Sequence, residues 1–384
     1  MNKALIFMTA VLLFAFFGAV AEEQYFTICE IHDYVMEALP DGWQESISTQ
    51  WRTVEIKTPV LVPDVDSMPV LALRVNTDDM LDLSVLPGNG WSMPDKDQRT
   101  PGYIKVSRKA DESKPDYSRM KIRSDHYYTP VDMNRCLSGF QGRSLQKLAD
   151  EIRIPLELAA CGRYTWDFSH PYDVMVNVYT DEASGASIEG YVNYLVYQTI
   201  EGIPLISHIG DYLPYDLPRW ENRLWPRSLM MGLDAYGGMS FLYGQLEGSV
   251  IADDVPLAGF ERVCETLRRA VEDGHIRKIL QMRLGYAVMD LNDLDSNASG
   301  YRGVTRPIWH ADVWWLRKGT SEMKADDPEY ETNDYGKMEC ARIAIDAQTG
   351  EIIGIAGSSA PEQKKNAALW QYNGYPGWKD VRGK

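Results

Sequence analysis

Histidine and cysteine are scarce in this chain, and neither recurs at the spacing that a metal site needs. Six histidines and five cysteines are spread over 384 residues. No Cys-x-x-Cys pair and no His-Glu-x-x-His motif occurs, and no two histidines stand at metal-ligand spacing. Linear spacing therefore predicts no metal site and no cofactor, and it leaves open a metal site assembled from distant segments.

The cysteines also limit the disulfide pattern. Five is an odd number, so at least one thiol stays unpaired. Cys136 and Cys161 are the pair favoured for a disulfide by their closeness in sequence. The alternative is that the thiols are buried and act as small apolar side chains, as we expect of Cys264 on the apolar face of a helix.

Basic residues are outnumbered in this sequence. The chain has 39 Lys and Arg against 55 Asp and Glu, a formal net charge of −16 at pH 7. A protein with this excess of acid is repelled by phosphate backbones and anionic surfaces. The composition therefore excludes nucleic acid as the expected partner and favours a soluble protein.

Long apolar runs are absent after residue 21. The first residues combine a positive start at Lys3, an apolar middle and the small residues Ala19-Val20-Ala21 before Glu22. This is the order of a secretory signal peptide. We expect cleavage and a secreted or extracytoplasmic protein. The alternative is an uncleaved anchor, because about 18 apolar residues is the lower edge of membrane-spanning length. The membrane would then be contacted through this segment alone.

Catalytic motifs are also missing, so no catalytic residue is predicted. Ser321-x-x-Lys324 has the spacing of a Ser-Lys pair but lies in a charged segment without apolar shelter for the lysine. Asp290, Asn292, Asp293 and Asp295 form an acidic run that lacks the glycine and the final glutamate of a calcium-binding EF-hand loop. A solvated loop explains the acidic run better.

The apolar pattern alternates between helical and strand periods. Thr27 and Glu30 match a capping box at the start of a helix that ends at Pro40-Asp41-Gly42, and a second helix is expected from Ser144 to Ile152. Apolar residues from Phe260 to Val271 mark one face of a third helix that stops at Gly274.

Strands follow the second and third helices. The pattern predicts an α+β fold with antiparallel curved sheets packed on helices and a duplicated helix-plus-sheet unit. The expected divisions are a signal peptide (1–21), an N-terminal helix and β-rich region (22–140), a first α+β unit (141–256), a second α+β unit (257–358) and a C-terminal tail (359–384).

Five polar and aromatic residues fall on one predicted sheet face. Side chains two apart along a strand share a face, so those that point away from the third helix form one surface. This surface is a candidate partner-binding site, since arginine suits bidentate contacts with carboxylates. The alternative is that the residues only pair with each other across strands. The candidate residues are Arg283, His310, Asp312, Trp314 and Arg342.

Aromatic residues suggest a second kind of site. Tyr215, Trp220 and Trp225 lie in a proline-rich segment, where exposed rings could stack on sugars. This gives a glycan-binding module as an alternative function. A secreted hydrolase acting on cell-wall or glycan substrates is another, and it requires a nucleophile and base, or two carboxylates, converging in a cleft.

The C-terminal part of the chain resembles a family of regulatory modules. The relevant features are the helix from Phe260, then Leu284-Gly285-Tyr286, Pro307-Ile308-Trp309 and Ile345-Asp346-Ala347 with Thr349-Gly350-Glu351. Over residues 190–356 they resemble PepSY-like modules and extracytoplasmic YycI-type regulators of a cell-wall histidine kinase. The whole chain is also similar to uncharacterised exported proteins of Gram-positive bacteria.

The resemblance implies a sheet-on-helix fold and a non-enzymatic role. We therefore expect an exported binding or regulatory module that acts by contact with a protein partner in the cell envelope. The chain departs from the YycI-type pattern at its start, because those regulators keep a membrane anchor. Direct regulation of a kinase does not carry over for this reason.

Overall fold

The computed structural model describes most of the chain between residues 24 and 356. The described residues are 24–49, 52–75, 84, 86, 90–92, 104–109, 120–128, 131–159, 165–208, 228–243, 246–290, 303–316 and 338–356. The predicted signal peptide and the C-terminal tail lie outside them. No helix in the described ranges is long and apolar enough to cross a membrane.

Strands dominate the fold, which is a mixed α+β structure with three helices among the described residues. The N-terminal elements are β1 (Tyr25–Phe26), α1 (Ile28–Ala38), β2 (Trp43–Ser48), β3 (Thr53–Thr58), β4 (Val60–Leu61) and β5 (Val70–Val75).

The middle of the chain contains one helix and a series of strands, of which the longest spans Ser187–Ile200. Its elements are β6 (Trp91–Ser92), β7 (Ile104–Arg108), β8 (Met120–Tyr128), β9 (Cys136–Leu137), a short 3-10 turn (Ser138–Phe140), β10 (Arg143–Ser144), α2 (Leu145–Ala159), β11 (Thr165–Trp166), β12 (Asp173–Asp181), β13 (Ser187–Ile200), β14 (Ile203–His208), β15 (Ser228–Asp234) and β16 (Met239–Tyr243).

The last third carries the third helix and the longest strand. Its elements are β17 (Leu246–Ala252), β18 (Leu257–Ala258), α3 (Phe260–Glu272), β19 (Ile276–Asp290), β20 (Gly303–Leu316), β21 (Met338–Asp346) and β22 (Ile352–Ala356).

Local sequence signals explain where the helices begin and end. The Thr27 hydroxyl accepts from the Glu30 backbone N–H while the Glu30 carboxylate accepts from the Thr27 N–H, so the predicted capping box is confirmed. The third helix has its predicted apolar face, with Val263, Cys264 and Leu267 buried. It is followed by Gly274, which takes the left-handed backbone conformation (φ +77°) of a helix stop.

Two local expectations differ from the structure. The second helix continues beyond Ile152 to Ala159 and includes Pro155, and the buried Leu156 anchors this last turn in the core. β2 was not expected, because Trp43–Ser48 follows the predicted helix stop without a clear alternation of apolar residues. It pairs with β3, where Ile47 lies opposite Val54 and both are buried.

Two buried clusters form the interior. The first joins residues of α1, β2, β3, β5, α3 and the sheet of β19 to β22, and Phe260 of α3 lies against Trp309 of β20 with ring centroids 5.0 Å apart. The second joins α2 to β12, β13 and β15. In it the buried Tyr194 hydroxyl donates to the Leu145 carbonyl at 2.8 Å. Each cluster therefore combines helix and sheet residues.

One strand connects the sheets of the two clusters. β14 pairs with β13 in antiparallel fashion and with β19 in parallel, so a continuous path of hydrogen-bonded strands runs from β17 to β6. Gly285 of β19 allows this close approach. A Cβ atom there would lie 2.4 Å from Ile206 Cδ1 and 2.6 Å from the Pro204 carbonyl oxygen.

The final hairpin confirms the turn predicted at Asp346-Ala347-Gln348-Thr349-Gly350. The Asp346 carboxylate accepts the backbone N–H groups of Gln348 (2.8 Å) and Thr349 (3.0 Å), and Gly350 has a φ of +71°. β21 and β22 then pair in antiparallel fashion. This turn fixes the register of the outermost strands of the first cluster.

Candidate functional site

The strand register brings the five sequence-predicted site residues onto neighbouring positions of one sheet. Arg283 of β19 lies opposite His310 of β20, and Asp312 of β20 lies opposite Arg342 of β21. Gln281 of β19, which the sequence reasoning missed, lies opposite Asp312. We call Gln281, Arg283, His310, Asp312 and Arg342 the polar ladder.

Asp312 is the centre of the polar ladder. His310 Nε2 lies 3.1 Å from Asp312 Oδ1, and because an ionised carboxylate can only accept, this nitrogen carries the hydrogen. Gln281 Nε2 donates to Oδ2, and Arg342 Nε lies 4.0 Å from Oδ1. Burial acts to raise the pKa of Asp312, but the charge and hydrogen bond of His310, with Gln281 and Arg342, outweigh it and lower the pKa to about 2. Asp312 is therefore an anion at neutral pH.

One end of the polar ladder is closed. Arg283 and His310 are each 2% exposed, so the expectation of a fully open face is wrong at these two residues. Arg283 Nη1 donates to Asp167 Oδ2 at 3.2 Å, and Nη2 donates to the His170 carbonyl at 3.0 Å. The guanidinium also lies 5.0 Å from the centre of the Tyr197 ring. The segment after β11 and strand β13 thus cover this end.

The other end of the polar ladder reaches solvent. The Arg342 side chain is 50% exposed, whereas that of Asp312 is 17% exposed. Trp314, one step further along the same face of β20, is half-buried, and Lys278 Nζ lies 5.8 Å from the centre of its ring. Of the five predicted residues, Arg342 and Trp314 are therefore the ones placed to meet a partner.

A cleft of about 500 Å³ begins beside the closed end of the polar ladder. It lies between α1, the stretch of chain that starts with β4, and the segment that follows β11. Its walls are mainly apolar but include charged and imidazole side chains. The lining residues are His32, Val35, Met36, Val60, Leu61, Val62, Pro63, Asp64, Trp166, Asp167, Ser169, His170, Thr199, Gly202, Pro204, Arg283 and Leu284.

Asp167 and His170 form a close pair in this cleft. Asp167 Oδ1 lies 3.2 Å from His170 Nδ1 and accepts the His170 backbone N–H at 3.1 Å. Since Asp167 Oδ2 is held by Arg283, both oxygens of the carboxylate are engaged. The pair fixes the orientation of an imidazole that is half exposed. Such a ring can exchange hydrogen bonds with a bound molecule.

Cys29, Cys136 and Cys264 are free thiols. Cys136 is exposed and its Sγ donates to the Asn134 carbonyl at 3.6 Å, against the expected disulfide with Cys161, which lies outside the described residues. Cys264 is buried as expected, and burial raises the pKa of its thiol. At the exposed Cys29 the charge of Asp33 raises the thiol pKa. Neither Cys29 nor Cys264 has the lowered pKa of a reactive cysteine.

Other sequence candidates lie outside the described residues. These are the aromatic residues Tyr215, Trp220 and Trp225 and the pair Ser321 and Lys324. The acidic run after Asp290 lies outside them too. In the part of the chain that the structure describes, no group of three or more His, Cys, Asp or Glu side chains stands close enough to hold a metal ion.

Comparison with known proteins adds no family. No protein-family model matches the chain, and no curated protein matches it.

Sequence reasoning missed the residues that close the polar ladder. Gln281 could have been found, since it shares a strand face with Arg283 and the same alternation applies to both. Asp167, His170 and Tyr197 could not, because more than 80 residues separate them from Arg283. Their approach depends on β14, the strand that joins the two sheets.

Proposed function

We propose that this protein is an exported, non-enzymatic binding or regulatory module that acts by contact with a protein partner in the cell envelope. The observation that carries the proposal is the exposed Arg342 at the end of the polar ladder, next to Trp314. Arginine and tryptophan are the side chains that contribute most to protein interfaces. Asp312, which accepts a hydrogen bond from Gln281, lies next to Arg342 on the same face of the sheet.

The arrangement suits recognition of a carboxylate on the partner. The Arg342 side chain is 50% exposed, and arginine suits bidentate hydrogen bonds with an incoming carboxylate. Asp312, held in place by His310 and Gln281, limits the freedom of the guanidinium. Preorganisation of this kind lowers the entropy cost of binding.

The order of elements supports the same proposal. α2 is followed by the two-residue strand β11 and then by β12, β13 and β14, and α3 is followed by β19, β20 and β21. We propose that these are two copies of one helix-plus-sheet unit, with helices packed on curved sheets, and that the second copy is a PepSY-like or YycI-type module. Export of the mature chain from residue 22 is part of the proposal. N-terminal sequencing of the secreted protein tests it, since Glu22 is expected as the first residue.

A photo-crosslinking amino acid at position 278, an exposed residue beside the Trp314 ring, tests the partner contact and leaves Arg342 in place. We expect crosslinked protein adducts from envelope extracts, and we expect Trp314→Ala to reduce their yield about tenfold because a central tryptophan is lost. The matched control carries the same crosslinker at Val250, an exposed residue of β17. Equal adducts from both positions would reject the sheet face as a binding surface.

A secreted hydrolase acting on cell-wall material is the second candidate, and the Asp167–His170 pair in the cleft favours it. A histidine oriented by an aspartate is a common general base. Release of soluble fragments from purified cell wall, lost in His170→Ala, would establish hydrolysis. Glycan binding through Tyr215, Trp220 and Trp225 remains a further alternative, tested by Trp220→Ala and Trp225→Ala on a glycan array.

A further inference from the structure

We propose that the cleft binds an extended, uncharged and mainly apolar peptide segment, and that Arg283 donates a hydrogen bond from Nε to one of its main-chain carbonyl oxygens. This site lies at the closed end of the polar ladder. It is independent of the partner contact proposed for Arg342.

The walls of the cleft favour an apolar occupant. Val35 of α1, Val62 and Pro63 after β4, Trp166 of β11 and Leu284 of β19 all line it. A volume of about 500 Å³ lies within the range of pockets that hold small ligands.

The wall formed by β4 offers main-chain hydrogen bonds. β4 pairs in parallel with β19 at Met282 and Arg283, and among the described residues β19 is its one strand partner. Val60 and Leu61 of β4 line the cleft. An extended peptide can therefore add to the second edge of β4, which is a common mode of peptide recognition.

Arg283 supplies the polar contact of the site. Two of its nitrogens are satisfied by Asp167 and by the His170 carbonyl, but Nε is buried without a hydrogen-bond partner among the described residues. A buried donor left unpaired is costly, and native proteins rarely leave one. A carbonyl oxygen of a bound peptide would satisfy it.

The charges of the cleft exclude ionised ligands. The charge of Arg283 is balanced by Asp167, and Asp64 adds a second carboxylate to the lining. A carboxylate ligand would face both acids, and a cationic ligand would compete with the buried Arg283 guanidinium for Asp167. An uncharged main chain with apolar side chains avoids both penalties.

Calorimetric titration of the full-length secreted protein tests the proposal. The probe is an acetylated and amidated Val-Leu-Val tripeptide, compared with the same peptide carrying Glu or Lys at its centre and with octanoate. We expect the neutral peptide to bind at least tenfold more tightly than either charged peptide. Tighter binding of octanoate would show an acyl-chain site and overturn the proposal, as would equal affinity for all three peptides or no binding.

Variants locate the site. Ser169→Trp adds bulk at an exposed residue of the cleft, and we expect it to weaken binding at least tenfold. Ser184→Trp, at an exposed turn residue that does not line the cleft, is the matched control and should bind normally. Arg283→Lys keeps the charge but removes the Nε donor, and we expect about tenfold weaker binding from this loss.

One further variant separates this proposal from the partner contact. Arg342→Glu should abolish crosslinking to the partner and leave tripeptide affinity unchanged, because Arg342 does not line the cleft. Normal binding by Ser169→Trp, or weaker binding by Ser184→Trp to the same degree, would place the peptide elsewhere and reject the cleft.

Discussion

At the residue scale, the polar ladder shows how a buried anion is stabilised by neighbours on three strands. Asp312 receives hydrogen bonds from His310 on its own strand and Gln281 on β19, and Arg342 approaches from β21. None of these side chains is adjacent in sequence. The polar ladder therefore depends on the correct strand register, since a slip of one residue in any of the three strands would turn that strand's members of the ladder to the other face of the sheet.

The lowered pKa of Asp312 predicts a specific acid sensitivity. A carboxyl whose pKa falls from 3.8 to about 2 on folding stabilises the protein above pH 4, and this contribution is lost as the pH falls from about 4 to about 2. Asp312→Asn should lower the free energy of unfolding by about 2 kcal/mol at pH 7 and by progressively less towards pH 2. Urea unfolding at pH 7, 4 and 2.5 measures this.

The control for acid sensitivity is Asp253→Asn at an exposed site. This variant should follow the wild-type protein at each pH. If Asp312→Asn is less stable by the same amount at pH 7 and pH 2.5, its charge does not contribute in the way proposed.

At the element scale, α1 depends on its first turn. It has eleven residues, which is short for a helix that must form without tertiary contacts, and the Thr27–Glu30 capping box satisfies its first N–H groups. α1 also contributes Ile28, Ile31 and Val35 to the first buried cluster and His32 to the cleft. Its N-terminal cap is therefore coupled to both the core and the site.

Removal of the cap hydroxyl tests this dependence. Thr27→Ala should lower the free energy of unfolding by about 1 kcal/mol, because one N–H of the first turn loses its acceptor. Thr53→Ala, at an exposed threonine that begins β3, serves as the comparison and should change stability by less than about 0.5 kcal/mol. Chemical denaturation of both variants measures the difference, and equal losses would show that the cap contributes nothing.

The elements divide into those that the sequence could predict and those that it could not. Helix α3 and the final hairpin follow from local rules, since Val263, Cys264 and Leu267 repeat at helical spacing and Gly350 permits the turn. β2 was missed because its burial comes from pairing with β3. Likewise the face carrying Arg283 was predicted from alternation, but its cover was not, since Asp167 reaches it only through the sheet junction.

At the scale of the whole molecule, β14 holds the two sheets together, and Gly285 allows it to fit. Any side chain at Gly285 would collide with Ile206 and with the Pro204 carbonyl. Gly285→Ala should therefore destabilise the protein by about 1–3 kcal/mol, the usual cost of overpacking. Because the collision falls at the junction, we expect unfolding to separate into two transitions in calorimetry.

A substitution to alanine at an exposed position provides the control for the number of unfolding transitions. Val250→Ala changes an exposed side chain of β17 and should retain one transition. A single transition in Gly285→Ala, with wild-type midpoint, would show that the two clusters are not joined through β14. A loss of tripeptide binding in Gly285→Ala is also expected, since Pro204 and Arg283 both line the cleft.

The first buried cluster contains residues that are far apart in the sequence, since β5 pairs with β17 and with β20. The buried residues of the second cluster, by contrast, all lie between residues 86 and 233. During synthesis the middle of the polypeptide can therefore form the second buried cluster before the rest of the chain is made. The apolar side chains of α1 and β5 become buried only after β20 to β22 have been synthesised. Contacts across such separations form slowly, so α1 and β5 remain accessible to chaperones until the last strands arrive.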